Sequence, residues 1–160
     1  MDTVNDCNIP YSTTMSENDI LHAAETILLR RANDGQMLTD PLAAGRVLRM
    51  RLAGQEREVF TCVFLDTRHR ILSIEDLFFG TIDGCEIHPR EVAKRALLNN
   101  AAAVIVGHNH PSGNPEPSAA DRAVTARLKQ ALALLNVRLL DHFVVVPAHE
   151  PVSLALRGWV

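Results

Sequence analysis

Two histidines and an aspartate lie at a spacing that suits a metal-binding site. His108 and His110 end an apolar run, and Asp121 follows a loop rich in Pro, Gly, Ser and Asn. Residues i and i+2 of a β-strand point to the same face, so the two imidazoles are expected to lie together. Two imidazoles and one carboxylate form the ligand set of a catalytic zinc site with one open position. Iron(II) uses the same trio, but we favour zinc because an oxygenase needs further sites that the sequence does not reveal.

A serine opens the segment that carries the aspartate. Ser118 stands three residues before Asp121, which is the spacing of a helix-capping box. Capping alone would account for this serine. The same hydroxyl would also lie beside the predicted metal site, so a role in capping and a role in chemistry are both open.

Helices and strands alternate along the chain and must position these residues. Capping signals and helical spacing of apolar residues predict helices over 16–32, 39–54, 88–98 and 118–135. Apolar or alternating runs predict strands over 58–65, 70–74, 101–107 and 138–146, with short extended pieces at 78–81, 85–87 and 153–156. This alternation predicts an α/β fold with a mixed sheet and helices on both faces.

The whole chain has the composition of a soluble globular protein. Its 160 residues are 47% hydrophobic and 22% charged, with a formal net charge of −3. We predict a loose tail and a helix over residues 1–38 and one domain over residues 39–160. The acidic balance argues against a duplex-binding surface, which usually shows as a basic patch. No apolar run reaches the ~18–20 residues that cross a bilayer, so no membrane association is expected.

The number and spacing of the cysteines indicate the redox state of the compartment. Cys7, Cys62 and Cys85 are odd in number and have no metal-like spacing. We interpret them as reduced thiols and expect a cytoplasmic protein.

The spacing H-x-H-x(7)-S-x(2)-D resembles the JAMM motif of the MPN-type metallohydrolases. Further segments resemble the RadC branch of that family, among them HPRE at 88–91, HNHPSG at 108–113 and DH at 141–142. The similarity extends over about residues 39–160. It implies an MPN/JAMM-like three-layer sandwich, similar to that of cytidine deaminases.

The resemblance also implies an activity and roles for individual residues. It implies a zinc-dependent hydrolase, a metallopeptidase in which a metal-activated water attacks a peptide or isopeptide bond. His108, His110 and Asp121 would hold one zinc per chain. Family members carry a general base on an upstream strand, which indicates Glu58 here, with Glu56 as the alternative. Ser118 would donate a hydrogen bond to the oxyanion of the tetrahedral intermediate.

The sequence departs in two places from the proteins that it resembles. Long RadC proteins carry an N-terminal helix-hairpin-helix region, and the first forty residues resemble a short form without it. Asn109 stands between the histidines where the eukaryotic isopeptidases have Ser or Thr, which argues against ubiquitin as the substrate. The expected partner is a peptide or protein. A nucleic-acid-associated role, as the RadC name suggests, and a metal-stabilised interaction domain without turnover are the alternatives.

Four further residues could serve the predicted site. His88 and Arg90 could line a cleft and bind a substrate carboxylate, or could simply belong to the start of a helix. Asp141 and His142 interrupt an apolar strand, so they could support the metal ligands from behind.

Overall fold

A five-stranded mixed sheet forms the middle layer of the protein. The computed structural model describes residues 15–33, 38, 40–81 and 84–160. The strands are β1 (Val59–Leu65), β2 (Ile71–Phe79), β3 (Ala103–Asn109), β4 (Arg138–Val145) and β5 (Val152–Ser153). They lie in the order β2-β1-β3-β4-β5. Neighbouring strands are antiparallel except β3 and β4, which are parallel and joined by a helix.

Helices cover both faces of this sheet. They are α1 (Glu17–Asn33), α2 (Pro41–Leu52), α3 (Pro89–Leu98) and α4 (Ala119–Ala133). On one face, Leu48 and Leu52 of α2 pack against Val63 of β1 and Ile105 of β3. The opposite face of the sheet packs against α3 and α4 through a second apolar cluster. The predicted α/β fold with helices on both faces is therefore confirmed.

The central strands show why the sheet is buried on both sides. Every residue of β1 and β3 is buried, as expected for strands that are covered on both faces. Phe60, Cys62 and Phe64 face α3 and α4, whereas Val59 and Val63 face α2. This alternation matters for the site, because it sets which side chains at the strand ends meet α4.

Strand β2 is longer than predicted. The sequence indicated a strand ending at Ile74 and a separate extended piece at 78–81, but β2 runs unbroken from Ile71 to Phe79. Glu75 and Asp76 interrupt the apolar pattern, so the sequence did not indicate one continuous strand. On an edge strand they can pair with cations, and they do so with Arg95 and Arg51.

The other differences are at element ends. Strand β3 begins two residues later than predicted and continues through Asn109, so His108 lies within the strand. The last strand is Val152–Ser153 and not 153–156, because a turn with the hydrogen bonds Arg157 N–H to Leu154 O and Gly158 N–H to Ala155 O follows. No strand forms over 85–87.

Helix α1 packs against α2 and β2. Its predicted capping box is present, since Ser16 and Asp19 exchange hydrogen bonds between side chain and backbone. Arg51 of α2 joins this helix to the sheet by pairing with Glu25 and Asp76. The loose tail predicted at the N-terminus, with Cys7, lies outside the described residues. None of the described helices is long and apolar enough to span a membrane.

Candidate metal centre

The three predicted ligands come together where β3 ends and α4 begins. His108 Nε2 lies 2.9 Å from His110 Nε2 and 3.1 Å from Asp121 Oδ1. His110 Nε2 lies 3.5 Å from Asp121 Oδ2. One ligand atom from each of the three residues falls within 4.8 Å of the others. The sequence therefore predicted their proximity, and their role as metal ligands stays a prediction.

The donor set fits a small divalent cation. Metal–ligand bonds of about 2.0–2.1 Å in a tetrahedron place neighbouring ligand atoms roughly 3.3 Å apart, close to the distances observed here. His110 Nδ1 lies 2.8 Å from the Asn114 carbonyl oxygen and must donate to it, because a carbonyl can only accept. In neutral His110 the other ring nitrogen, Nε2, then carries no proton, and its lone pair faces His108. A metal cation placed between the two imidazoles would bind this lone pair.

Asp121 divides its two oxygens between helix capping and the site. Oδ2 accepts the Ser118 backbone N–H at 2.6 Å and the Ser118 hydroxyl at 2.7 Å, which completes the predicted capping box. Oδ1 faces His108 and is the oxygen free to bind a metal. Burial opposes ionisation, but the neighbouring imidazoles outweigh it and hold the pKa of the Asp121 carboxyl well below its usual range.

The cluster opens into a cleft of about 670 Å³ that Glu58 also lines. Phe60 pairs with His108 in the antiparallel ladder, so the same register continued places position 58 opposite position 110. Burial raises the pKa of the Glu58 carboxyl, with His108 opposing this shift and Asp121 adding to it. Glu56 is exposed and does not line the cleft. The geometry therefore favours Glu58 over Glu56 as the candidate base.

Comparison of the sequence with protein families gives a match over most of the chain. The model of a RadC-like JAB domain matches residues 38–159, which is most of the chain. The chain belongs to the RadC family.

Relatives of this RadC-family chain occur in Xanthomonas and Xylella. It is 61% identical over 140 residues to a UPF0758 protein of Xanthomonas campestris pv. campestris strain 8004, covering 88% of this chain and 62% of that protein. It is 60% identical over 126 residues to a UPF0758 protein of Xylella fastidiosa strain 9a5c, covering 79% of this chain and 56% of that protein. The chain thus spans less than two thirds of these relatives.

The two predicted cleft residues at the start of α3 differ in position. His88 lines the cleft of this RadC-family chain, and its ring contacts Phe78 with 6.0 Å between ring centroids. The Arg90 side chain is 88% exposed, does not line the cleft, and lies 3.7 Å from Glu91. His88 therefore lines the cleft, whereas Arg90 belongs only to the first turn of α3, which was the other alternative for these residues.

Asp141 and His142, the DH pair on β4, point in different directions. His142 Nε2 lies 2.8 Å from His108 Nδ1, so His142 supports a candidate ligand from behind, as predicted. Asp141 faces away and accepts hydrogen bonds from the Ser153 hydroxyl at 2.6 Å and the Ala155 N–H at 2.9 Å. Asp141 does not take up the supporting role that was considered for both residues, because neighbouring strand residues point to opposite faces. Asp141 instead holds the segment that follows β4.

Two supporting residues were not found from the sequence. Asn109 is buried, and its amide accepts from the Val59 N–H at 2.8 Å and donates to the Arg57 carbonyl at 2.9 Å. These bonds hold the backbone on both sides of Glu58. Thr125 lies one helical turn after Asp121 and contacts His142 Nδ1 at 2.6 Å. A polar residue on the apolar face of α4, four positions after a candidate ligand, was the available signal.

Proposed function

We propose that this chain is a zinc-dependent hydrolase of the metallopeptidase type that cleaves a peptide or isopeptide bond. The observation that carries the proposal is the convergence of His108, His110 and Asp121 in the cleft that Glu58 also lines. Membership of the RadC-like JAB family supports the same reaction class. His108, His110 and Asp121 are the proposed ligands of one zinc ion per chain.

The proposed chemistry divides between the cation and the side chains of the cleft. When bound, zinc supplies Lewis acidity and lowers the pKa of water to about 7. Glu58 accepts the proton of the attacking water and later returns it to the leaving amine. Burial raises the pKa of this carboxyl toward the working pH, which favours both transfers.

Ser118 is the proposed donor to the oxyanion. Its hydroxyl donates to Asp121 Oδ2 at 2.7 Å, while its backbone N–H donates to the same oxygen at 2.6 Å. The hydroxyl can therefore turn to a substrate oxygen and leave Oδ2 with a hydrogen bond. One such donor is worth about 2.7–4 kcal/mol of transition-state stabilisation.

The proposed substrate is a peptide or protein, and the proposed compartment is the cytoplasm. The cleft is open and mixed in polarity, lined by Phe60, Ile87 and Val124 beside Glu86 and His88, as an extended chain would require. Cys62 and Cys85 are both free thiols, which is the state expected in a reducing compartment.

Two measurements test the proposal together. Metal analysis of the purified protein is expected to find about one zinc per chain, lost in His108→Ala and Asp121→Ala. A proteome-derived peptide library read by mass spectrometry is expected to show cleavage by the wild type. Glu58→Gln should keep the zinc and lose about 10²–10⁴-fold in rate.

The matched control is Glu56→Gln, which makes the same change at an exposed position two residues away. It is expected to cleave like the wild type. Absence of zinc affinity would overturn the proposal. Zinc binding without cleavage would favour a metal-stabilised interaction domain. Tight duplex binding at about 0.15 M salt that weakens steeply with added salt would favour the nucleic-acid role.

A further inference from the structure

A chain of buried polar side chains runs behind the metal centre. Thr125 Oγ1 lies 2.6 Å from the backbone carbonyl oxygen of Asp121 and 2.6 Å from His142 Nδ1. His142 Nε2 lies 2.8 Å from His108 Nδ1. Thr125, His142 and His108 are each at most 1% exposed. These groups therefore satisfy one another without water.

The direction of the first two hydrogen bonds follows from the carbonyl at the end of the chain. A carbonyl oxygen can only accept, so the single hydroxyl proton of Thr125 is donated to Asp121 O. Toward His142 the hydroxyl oxygen can then only accept. His142 Nδ1 must carry a proton and donate it to Thr125.

The direction of the third hydrogen bond follows from the charge of His142. Its ring is fully buried, and its two nitrogens contact Thr125 and His108, neither of which is a carboxylate, so a charge there would lack a counter-charge and the ring is neutral with one proton. That proton is on Nδ1, which leaves Nε2 as an acceptor. His108 Nδ1 must therefore donate to His142 Nε2.

We propose that Thr125 and His142 are positioning residues that set the tautomer of His108. The ordered hydrogen bonds place the His108 proton on Nδ1 and leave the lone pair of Nε2 facing His110 and Asp121. An imidazole binds a metal only through a nitrogen without a proton. Helix α4, which carries Asp121, thus also sets the tautomer of His108, because the hydrogen bonds begin at the backbone carbonyl of Asp121.

Without the Thr125 hydroxyl, the directions of these hydrogen bonds should no longer be fixed. In Thr125→Val the branched shape is kept, but His142 Nδ1 has no acceptor there. His142 can then move its proton to Nε2 and donate to His108 Nδ1. His108 must in turn carry its proton on Nε2, where it blocks the metal position. Thr125→Ser keeps the hydroxyl and is the matched control.

The test reads the tautomers directly in the metal-free protein. Long-range ¹H–¹⁵N correlation spectra of ¹⁵N-histidine protein at about pH 8 distinguish the two neutral forms of each ring. The wild type and Thr125→Ser are expected to hold both His108 and His142 with the proton on Nδ1. Thr125→Val should move His108 to the Nε2-protonated form or to a mixture, and should weaken zinc binding by about 10–100-fold.

A second pair of variants covers the case in which Thr125→Val does not fold. His142→Gln supplies an oxygen that can accept from His108 Nδ1, whereas His142→Leu supplies none. The His108 tautomer is expected to survive in the first variant and not in the second. The inference is overturned if His108 keeps its proton on Nδ1 in Thr125→Val or His142→Leu, or if zinc affinity does not follow the tautomer. The tautomer result is independent of turnover, so it can stand even if the proposed hydrolase activity fails.

Discussion

Asn109 shows how one buried side chain can hold a site that spans two strands. Its amide bridges the end of β3 to the Val59 N–H and to the carbonyls of Arg57 and Gln55. Asn109→Ala leaves the buried Val59 N–H without a partner, at a cost of about 1–3 kcal/mol, and removes the part-buried hydrogen bonds to the two carbonyls. We expect a loss of at least about 2 kcal/mol in the free energy of unfolding, measured by urea titration with an unchanged slope.

The same substitution should also affect the candidate base. Glu58 lies between the two backbone positions that Asn109 holds, so cleavage should fall more than zinc content does. Asn18→Ala, an exposed change of the same type on α1, should leave both unfolding and cleavage unchanged. Equal stability of Asn109→Ala and the wild type would show that water replaces the amide.

The residues of the site differ in how far the sequence reveals them. His108, His110 and Asp121 lie within one short stretch, so strand periodicity and helix capping predict their proximity. The partners of the supporting residues are distant: Asn109 bonds to a residue 52 positions away, and Thr125 to one 17 positions away. Such contacts depend on strand order and register, which local patterns do not specify.

Between elements, the approach of α2 to β3 depends on the absence of one side chain. A Cβ on Gly107 would lie 2.7 Å from Leu48 Cδ1, and Leu48 is fully buried. Gly107→Ala should therefore destabilise the protein by about 1–3 kcal/mol through overpacking. The effect is measured as a shift in the urea midpoint.

A double-mutant cycle identifies the cause of that loss. Leu48→Ala alone should cost about 2–5 kcal/mol, because it leaves a cavity. In the double variant the added methyl group occupies part of that cavity. The double variant should therefore lose less free energy of unfolding than the sum of the two single variants. Strict additivity would mean that Gly107 acts through backbone conformation and not through contact with Leu48.

The ion pair between β2 and α3 should make stability depend on acid pH. Hydrogen bonds from Arg95, together with Asn99 and Ser73, lower the pKa of Glu75 from 4.5 to about 2 against the opposing effect of burial. The ionised form therefore stabilises the fold fully above about pH 4.5, and this contribution disappears as pH falls toward 2. Because the Arg95 side chain is 40% exposed, screening limits the effect to about 1 kcal/mol.

Comparison with Glu75→Gln isolates this carboxyl from the others that titrate in acid. The wild type should be the more stable protein at pH 7, and the difference should vanish near pH 2. Urea unfolding at several pH values measures both curves. A difference that stays constant between pH 7 and pH 2 would contradict the assignment of the shift to Glu75.

The helices were easier to predict than the strand ends, for a physical reason. The N-termini of α2 and α4 are marked by the residues that cap them, Asp40 and Ser118, whose side chains accept backbone N–H groups within the next three residues. Strand β2 pairs with β1 along its length, and its polar residues find partners on α2 and α3. Those partners are known only once the layers are assembled.

For the whole molecule, a bound cation should link the sheet to α4. His108 and His110 belong to the end of β3, and Asp121 to the first turn of α4, so an ion held by all three crosslinks two layers. A ligand that binds only the folded state stabilises it by about 2.7 kcal/mol at one hundred times its dissociation constant. For a chain of this size we expect zinc to raise the melting temperature by roughly 5–10 °C.

This increment should depend on the ligand set and on the metal. Asp121→Asn and His110→Ala should lose it, while Glu58→Gln should keep it, because Glu58 is the proposed base and not a ligand. Magnesium should have little effect, since it prefers six oxygen ligands and two of the three groups here are imidazoles. Differential scanning calorimetry of metal-free protein with each cation measures the increments. Equal stabilisation of Asp121→Asn and the wild type by zinc would place the ion elsewhere on the molecule.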